Sequence, residues 1–584
     1  MALNYEQKQY IKKNIRRLPV SKIAADSGLP ENEILDYLKK KWPREKYKKF
    51  LQQRFAGESA PQAENASFNF SNFVRKNRMI LVFLVALVFA VYANSLGNGF
   101  VSDDIGAFLS NPNFGHFSNV FSGPAHFSIA AFLQYIFFHI GGIHPFVFRT
   151  INILSHLGCV ILIYMLLALS EKKRIAAVAA ALFAAHPIFT ESVSWISGGI
   201  YSLYAFFFLL SFLFYLFSES NRKYFYYSIV FYILAILSSE KALVLFLIFA
   251  LYELAFGSLR YNWKKIAPFV LISFLILFLY IGKIGYRVSA VETQTYQPSS
   301  GLYNPLVQIP VAIGTYLKLI FWPARLTLYQ TEMAFTQIQY AVFVLIFLVY
   351  LGAVAWSYFK NRTIFFWLVF FFIALLPTLT PFKISWVVAE RYVYLGALGI
   401  IVAFAILLDK FFKLNENAKM VGYFALVLII GSLSVRTIIR NMDWKSEDTL
   451  WLATAQVAPS GQQIHNNLGD VYMRQGNPQK AIEEFQKAIE INPNYADAYH
   501  NLGNTYQQIG EIDEAIPYYQ KALEINPNLW QSYQNLAAIY FNSGDYEKAL
   551  ENIKKALEID PQNQNLRENL KVIEENIKRN QQDG

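Results

Sequence analysis

At 584 residues the chain is longer than one hydrophobic core sustains, which excludes a mini-protein and implies several structural units. With 54% hydrophobic and 17% aromatic residues against 16% charged, it is too poor in charge to be soluble throughout, so part of it meets lipid. The net charge of +11 is unevenly spread: residues 1–78 carry 17 Lys+Arg and 8 Asp+Glu, residues 79–440 carry 23 and 12, and residues 441–584 carry 12 and 21. A basic head, an apolar middle and an acidic tail follow. A single cysteine, Cys159, excludes a disulfide framework and a Cys-based zinc site within the chain.

The head, residues 1–50, is polar and predicted to stay in the cytosol, with no signal peptide before the apolar run that starts near Met79. Ala24, Gly28 and Ile34 have helix-turn-helix spacing, and Pro30 followed by Glu31 and Glu33 predicts a helix start. Lys39, Lys40, Lys41, Arg44, Lys46, Lys48 and Lys49 suit nucleic acid or an anionic inner leaflet. The leaflet is the expected partner, since a membrane tether restricts a DNA reader. Residues 51–78 read as a linker leading into the first span.

In residues 79–440, eleven segments are apolar enough to be candidate spans: 79–97, 146–169, 175–188, 200–217, 224–238, 242–256, 266–282, 340–359, 363–380, 386–408 and 420–439. Five basic loops, from Lys172–Arg174 to Lys410–Lys419, fall where that count needs cytosolic loops. Residues 305–322 hold Pro310 and Lys318 and are predicted to lie on the outer surface rather than to span. The tail is thereby placed outside. Gathered on that side are Asp103, Asp104, Arg149, His186, Glu191, Glu240, Lys241, Lys283, Arg287, Lys383, Glu390 and Arg391, and ionisable groups at a membrane edge mark a functional site. Lys283 and Arg287 read as snorkelling end caps.

The acidic tail, residues 441–584, repeats at 34 residues. Leu468, Leu502 and Leu536 align, as do Tyr472, Tyr506 and Tyr540, Gly476, Gly510 and Gly544, and Pro493, Pro527 and Pro561. That is a tetratricopeptide array: three repeats over about 461–562, a capping helix after them and a half-repeat near 443–458. Such an array binds extended peptides or partner helices in its concave face.

Paired carboxylates at the end of a first span, with cations from later loops, suit transfer from a phosphate-linked lipid donor. A carboxylate takes the acceptor hydroxyl's proton and a fixed cation holds the departing phosphate. The strings NGFVSDDIGAFLSNP, HPFVFRTINILSHL, LFAAHPIFTESVSWISG, VVAERYVYLGALG and RNMDWKSEDTLW, in that order, resemble the transmembrane and tetratricopeptide-repeat (TMTC) O-mannosyltransferases of the GT-C superfamily, over about residues 94–562. The resemblance implies an all-α, polytopic GT-C-type bundle followed by the repeat solenoid. It implies an inverting enzyme that moves a mannose-like sugar from a polyprenyl phosphate to protein Ser or Thr outside the cytosol. Asp103 and Asp104 fall on the implied catalytic pair, as base and acceptor-orienting partner. Arg391, with Glu390, Tyr392, Lys241, Glu240 and Arg149, is the donor-side set. The chain departs from the family at Gly199, where relatives often show Arg, and in placing Glu240 before Lys241.

None of His116, His126, His139, His144, His156 and His186 pairs with a carboxylate at metal-site spacing, so no cofactor is expected to be required, although a divalent ion is allowed. The rival readings are an envelope glycan or lipid glycosyltransferase, such as an O-antigen ligase-like enzyme, and a membrane-anchored tetratricopeptide scaffold without chemistry. The expected location is a prokaryotic plasma membrane, with multiple passes.

Overall fold

The computed structural model describes residues 5–15, 20–43, 47, 70–111, 114–122, 128–293, 304–328, 335–379 and 387–583. Lys383, His126 and most of the expected linker lie outside them, as do the side chains of Lys283 and Arg287. The described residues are all-α, with no strand among them.

In the head, Tyr5–Asn14, Val20–Ser27 and Glu31–Lys41 pack around Ile11, Ile15, Ile23, Ile34 and Leu38. Gly28 makes the turn with φ +63°. The head rests on the start of the Leu259–Thr293 helix, where Lys39 Nζ sits 3.5 Å from the Tyr261 ring centroid.

All eleven expected segments contain helix, but they are not eleven full-length spans. Among the described residues six helices are long and apolar enough to cross a membrane: Phe70–Gly97, Pro145–Leu169, Ser197–Phe217, Leu259–Leu279, Gln337–Lys360 and Glu416–Asp443. Lys173–Ala185 with Pro187–Val193, bent by 53°, makes a seventh if counted as one. The others are shorter: Arg222–Ser238 has 17 residues, Phe246–Ala255 has 10, Arg362–Leu375 has 14 and Ala397–Phe411 has 15. Short 3₁₀ turns at Glu240–Val244 and Glu390–Val393, which carry expected site residues, interrupt the apolar runs. The Ser128–Gly141 helix was not anticipated by the span count.

Lys173–Ala185 is the axis of the bundle and is buried from Ile175 onward except at Ala177. Its alanines let Pro145–Ser170, Phe70–Tyr92, Ala397–Phe411 and Glu416–Asp443 approach closely. Pro305–Phe321, with 17 residues shorter than the six long helices, is held near both ends: Tyr340 donates to Leu306 O at 3.0 Å, and His186 Nε2 bonds Ile320 O at 2.8 Å.

In the tail, helix pairs 462–474 with 478–491, 496–508 with 512–525, and 530–542 with 546–559 stack behind Glu447–Val457 and ahead of Gln564–Asp583. Gly476, Gly510 and Gly544 turn each pair at φ between 72° and 88°, a conformation glycine adopts without strain. Gly469 leaves room for the Phe485 ring and Gly503 for Tyr519, which is why small residues recur at these positions.

A methyl at Gly399 would sit 2.2 Å from the backbone oxygen of Trp367, so the 397–411 and 362–375 helices must part to admit it. Gly399→Ala should destabilise the bundle by about 1–3 kcal/mol in detergent thermal unfolding. Gly352→Ala, with no atom within 4 Å, should be neutral or slightly stabilising.

Candidate functional site

The first long helix ends in a 3₁₀ turn, Ala93–Gly97, and the chain then runs to the acid pair. Asp104 is buried. Its Oδ1 accepts from Ser197 N at 2.8 Å and Ser197 Oγ at 2.5 Å, and its Oδ2 from Val101 N at 3.3 Å. Burial pushes its carboxyl up to about 6, against the pull of the Ser197 and Val101 bonds and of Arg149. Asp103 keeps open surface, yet enough protein surrounds it to raise its carboxyl through desolvation, opposed by the charge of Arg391. Asp103 is therefore within electrostatic reach of Arg391 in the Glu-Arg-Tyr turn.

The loop at 190–199 is the second wall. Glu191 accepts from Arg391 N at 2.9 Å and forms a buried ion pair with its guanidinium. That guanidinium lies 5.4 Å from the Trp195 ring and 5.0 Å from Tyr392. Lys241 Nζ is 4.8 Å from the Tyr392 ring, 5.6 Å from Tyr201 and 3.7 Å from Glu240. Tyr392 thus has both cations beside it. The structure brings together Asp103, Asp104, Arg391, Tyr392, Lys241 and Glu240.

Two members of the expected donor set do other work. Arg149 is fully buried, and its Nε, Nη1 and Nη2 donate to Ser194 O at 2.6 Å, Asn98 O at 2.7 Å and Gly99 O at 2.8 Å. It braces two loops instead of facing a donor, because three carbonyls that leave regular helix need donors there. Glu390 is also fully buried, accepting from Thr327 N at 2.5 Å and from Arg440 Nη2 at 3.4 Å.

Gly199 has a physical cause: a Cβ there would fall 1.8 Å from Asn152 Oδ1. Asn152 Nδ2 donates to Trp195 O at 2.9 Å and Ile196 O at 3.2 Å, so an amide that shapes the loop fills the place of a side chain at 199. Sequence reasoning missed Ser197, Asn98 and Asn441. Asn441 donates to Val91 O at 2.8 Å and accepts from Ser194 Oγ at 2.7 Å. The available signal was polar side chains recurring inside apolar strings. Among the described residues no group of three or more His, Cys, Asp or Glu is arranged to hold a metal ion.

These features define a multi-pass membrane protein with a polar site at the end of its bundle that bears a tetratricopeptide array. The family model described as dolichyl-phosphate-mannose-protein mannosyltransferase matches residues 126–285, and tetratricopeptide-repeat models match 462–528 and 530–563. Human protein O-mannosyl-transferase TMTC3 is 24% identical over 473 residues, covering 71% of this chain and 51% of that protein. The mouse TMTC3 is 25% identical over 474 residues, 70% of this chain and 51% of its own. The Caenorhabditis elegans protein O-mannosyl-transferase F38B6.6 is 25% identical over 454 residues, 71% and 63% respectively. Taken together, these matches make the chain similar to the TMTC protein O-mannosyl-transferases over about 70% of its length. It spans about half the length of the TMTC3 relatives it matches.

Because the folded Asp104 carboxyl titrates near 6, above its ordinary 3.8, the folded chain holds that proton more tightly than the unfolded one. The stabilisation is complete below about 3.8 and is lost as the pH rises through about 6. Asp104→Asn should flatten this fall in the thermal midpoint between those pH values, as measured by a pH series of unfolding curves.

Proposed function

We propose that the chain is an integral-membrane glycosyltransferase that moves a mannose-like sugar from a polyprenyl phosphate to Ser or Thr of a protein. The names of the relatives and of the matching family model support the class of reaction. The observation that carries the reading is the exposed Asp103 carboxyl within electrostatic reach of Arg391.

An acceptor hydroxyl has a pKa far above 7, so Asp103 takes its proton as the oxygen attacks the anomeric carbon. The bond from that carbon to the donor phosphate breaks in the same displacement, which inverts the centre. The phosphate leaves as an anion opposite the cations Arg391 and Lys241, whose positions are set before the reaction by Glu191, Trp195, Tyr201 and Tyr392. Asp104 orients the loop through Ser197 and does not meet substrate. Cofactor-free chemistry is part of this reading, and the repeats bind the acceptor protein.

The site faces away from the cytosol in a plasma membrane. Supporting this, Ser102, next to the acid pair, bonds Glu447 of the half-repeat, whereas Lys265 pairs with Glu219 near the head and Arg174 and Lys413 pair with Asp409, so these cations gather away from the site.

Asp103→Asn should lower transfer from a polyprenyl-phosphate mannose to acceptor peptides by about 10²–10⁴-fold, measured as glycopeptide mass with purified protein. Unchanged glycopeptides with altered envelope polysaccharide in cells would favour the glycan-ligase reading. No change in either would favour the scaffold. In wild type, the acid limb of the pH–rate profile should lie above the ordinary carboxylate value, since burial raises Asp103. A reporter fused after Gly584 should be active only when exported; cytosolic activity would reverse the topology.

A further inference from the structure

The loop that carries the acid pair does not rest on the membrane bundle alone. Gly99 N donates to Lys445 O at 2.9 Å and Asn98 Nδ2 to Asn441 O at 2.8 Å. Val101 shares one apolar core with Trp195, Trp444, Leu450 and Trp451, in which the rings of Trp195 and Trp444 stack at 5.6 Å. Between Val101 and Asp103, Ser102 holds φ +55°, and it is the one non-glycine residue with positive φ among the described residues. L residues with a Cβ avoid this region, so something must hold it.

The holder belongs to the half-repeat. Ser102 N donates to Glu447 Oε1, in the first turn of Glu447–Val457. The other oxygen of Glu447 accepts from Trp451 Nε1 at 2.6 Å, one turn further on. Reciprocal bonds between Ser446 and Thr449 fix the start of the same helix. The carboxylate is therefore positioned by its own helix before it meets Ser102.

We propose that Glu447, outside the membrane bundle, is a positioning residue for the transfer reaction. Its carboxylate pins the Ser102 amide, holds the left-handed turn and so sets where Asp103 stands relative to Arg391. The proposal rests on the reading of Asp103 as the base. Without the acceptor oxygen, Ser102 relaxes toward ordinary backbone and rotates the peptide leading into Asp103. Asp104 stays tethered to Ser197, so the displacement falls on Asp103. The first helix of the repeat array thereby completes the site, and an array cut away before residue 447 leaves the base misplaced even though every membrane residue remains.

The test uses the full chain in detergent or nanodiscs, as wild type, Glu447→Ala, Glu447→Asp, Glu447→Gln and Asp448→Ala. Asp448 is next in sequence but pairs outward with Arg474 at 2.8 Å, so it controls for loss of an acid at the helix start. Two measurements are made: amide hydrogen exchange over residues 98–104, and kcat and KM for transfer from polyprenyl-phosphate mannose to a peptide. Glu447→Ala should speed loop exchange and lower kcat by about 10–100-fold, with the donor KM within about twofold of wild type. Glu447→Asp keeps the charge but lacks the reach and should lose kcat similarly. Glu447→Gln retains an acceptor oxygen and should recover most of it, and Asp448→Ala should match wild type. Unchanged loop exchange in Glu447→Ala and Glu447→Asp overturns the proposal whatever the wild type catalyses. Faster exchange with wild-type kcat also overturns it. An inactive wild type sinks the transferase reading and the catalytic meaning of the contact with it, while exchange still decides whether Glu447 holds the loop.

Discussion

Arg149 joins the two loops on which the site is built. Its guanidinium bonds carbonyls at Asn98, Gly99 and Ser194, three groups that left regular helix, the first and last of them in buried bonds and Gly99 in a partly buried one. Replacing any of these bonds with nothing leaves a buried acceptor unpaired, which costs about 1–3 kcal/mol each before any rearrangement. A planar fork of donors meets this geometry and a lysine ammonium does not. With the loops joined, Asp104 can reach Ser197, and Asp103 is carried to the edge of the space beside Arg391.

The rest of the polar end follows one rule: charges buried at the margin of an apolar bundle are kept with their partners. Glu191 pairs with Arg391, and Glu390 and Asp443 pair with Arg440. Such pairs contribute little net stability, because desolvation offsets most of the attraction. Their value here is geometric. Glu191 accepts from both the backbone and the side chain of Arg391, so the guanidinium is fixed before any anion arrives. Helices broken at 239–244 and 387–396 are the structural consequence, since a continuous helix would carry these side chains away around its axis.

The repeat array is joined to this end by a shared core rather than by a loose linker. Trp195 of the bundle stacks on Trp444, and Trp444 packs with Leu450, Trp451 and Leu468 of the tail. Asn441, at the end of the last long helix, bonds the exit of the first helix and the 194 loop together. The 34-residue periodicity that makes the array visible therefore begins just beyond a segment that belongs equally to the membrane part.

The amino-acid order alone determined the apolar middle, the repeat register and the acid pair as a candidate site. Each of these rests on local composition or a fixed period: a 34-residue shift, a run of apolar residues, two acids after a span. Span number was legible only in part, because the apolar run 386–408 includes a turn whose charged residues, Glu390 and Arg391, are stabilised by partners far away in sequence. The Glu390–Arg391 string could be read, but not that its two charges go to different partners, Arg440 and Glu191. Gly199 looked like a missing cation until Asn152, 47 positions earlier, was found in the same space. Tertiary structure alone decided that Arg149 braces loops and that Glu447 meets Ser102 across 345 residues. Hydrogen bonds and ion pairs depend on distance in space, and no periodicity along the chain records which remote groups the folded bundle brings within 3 Å.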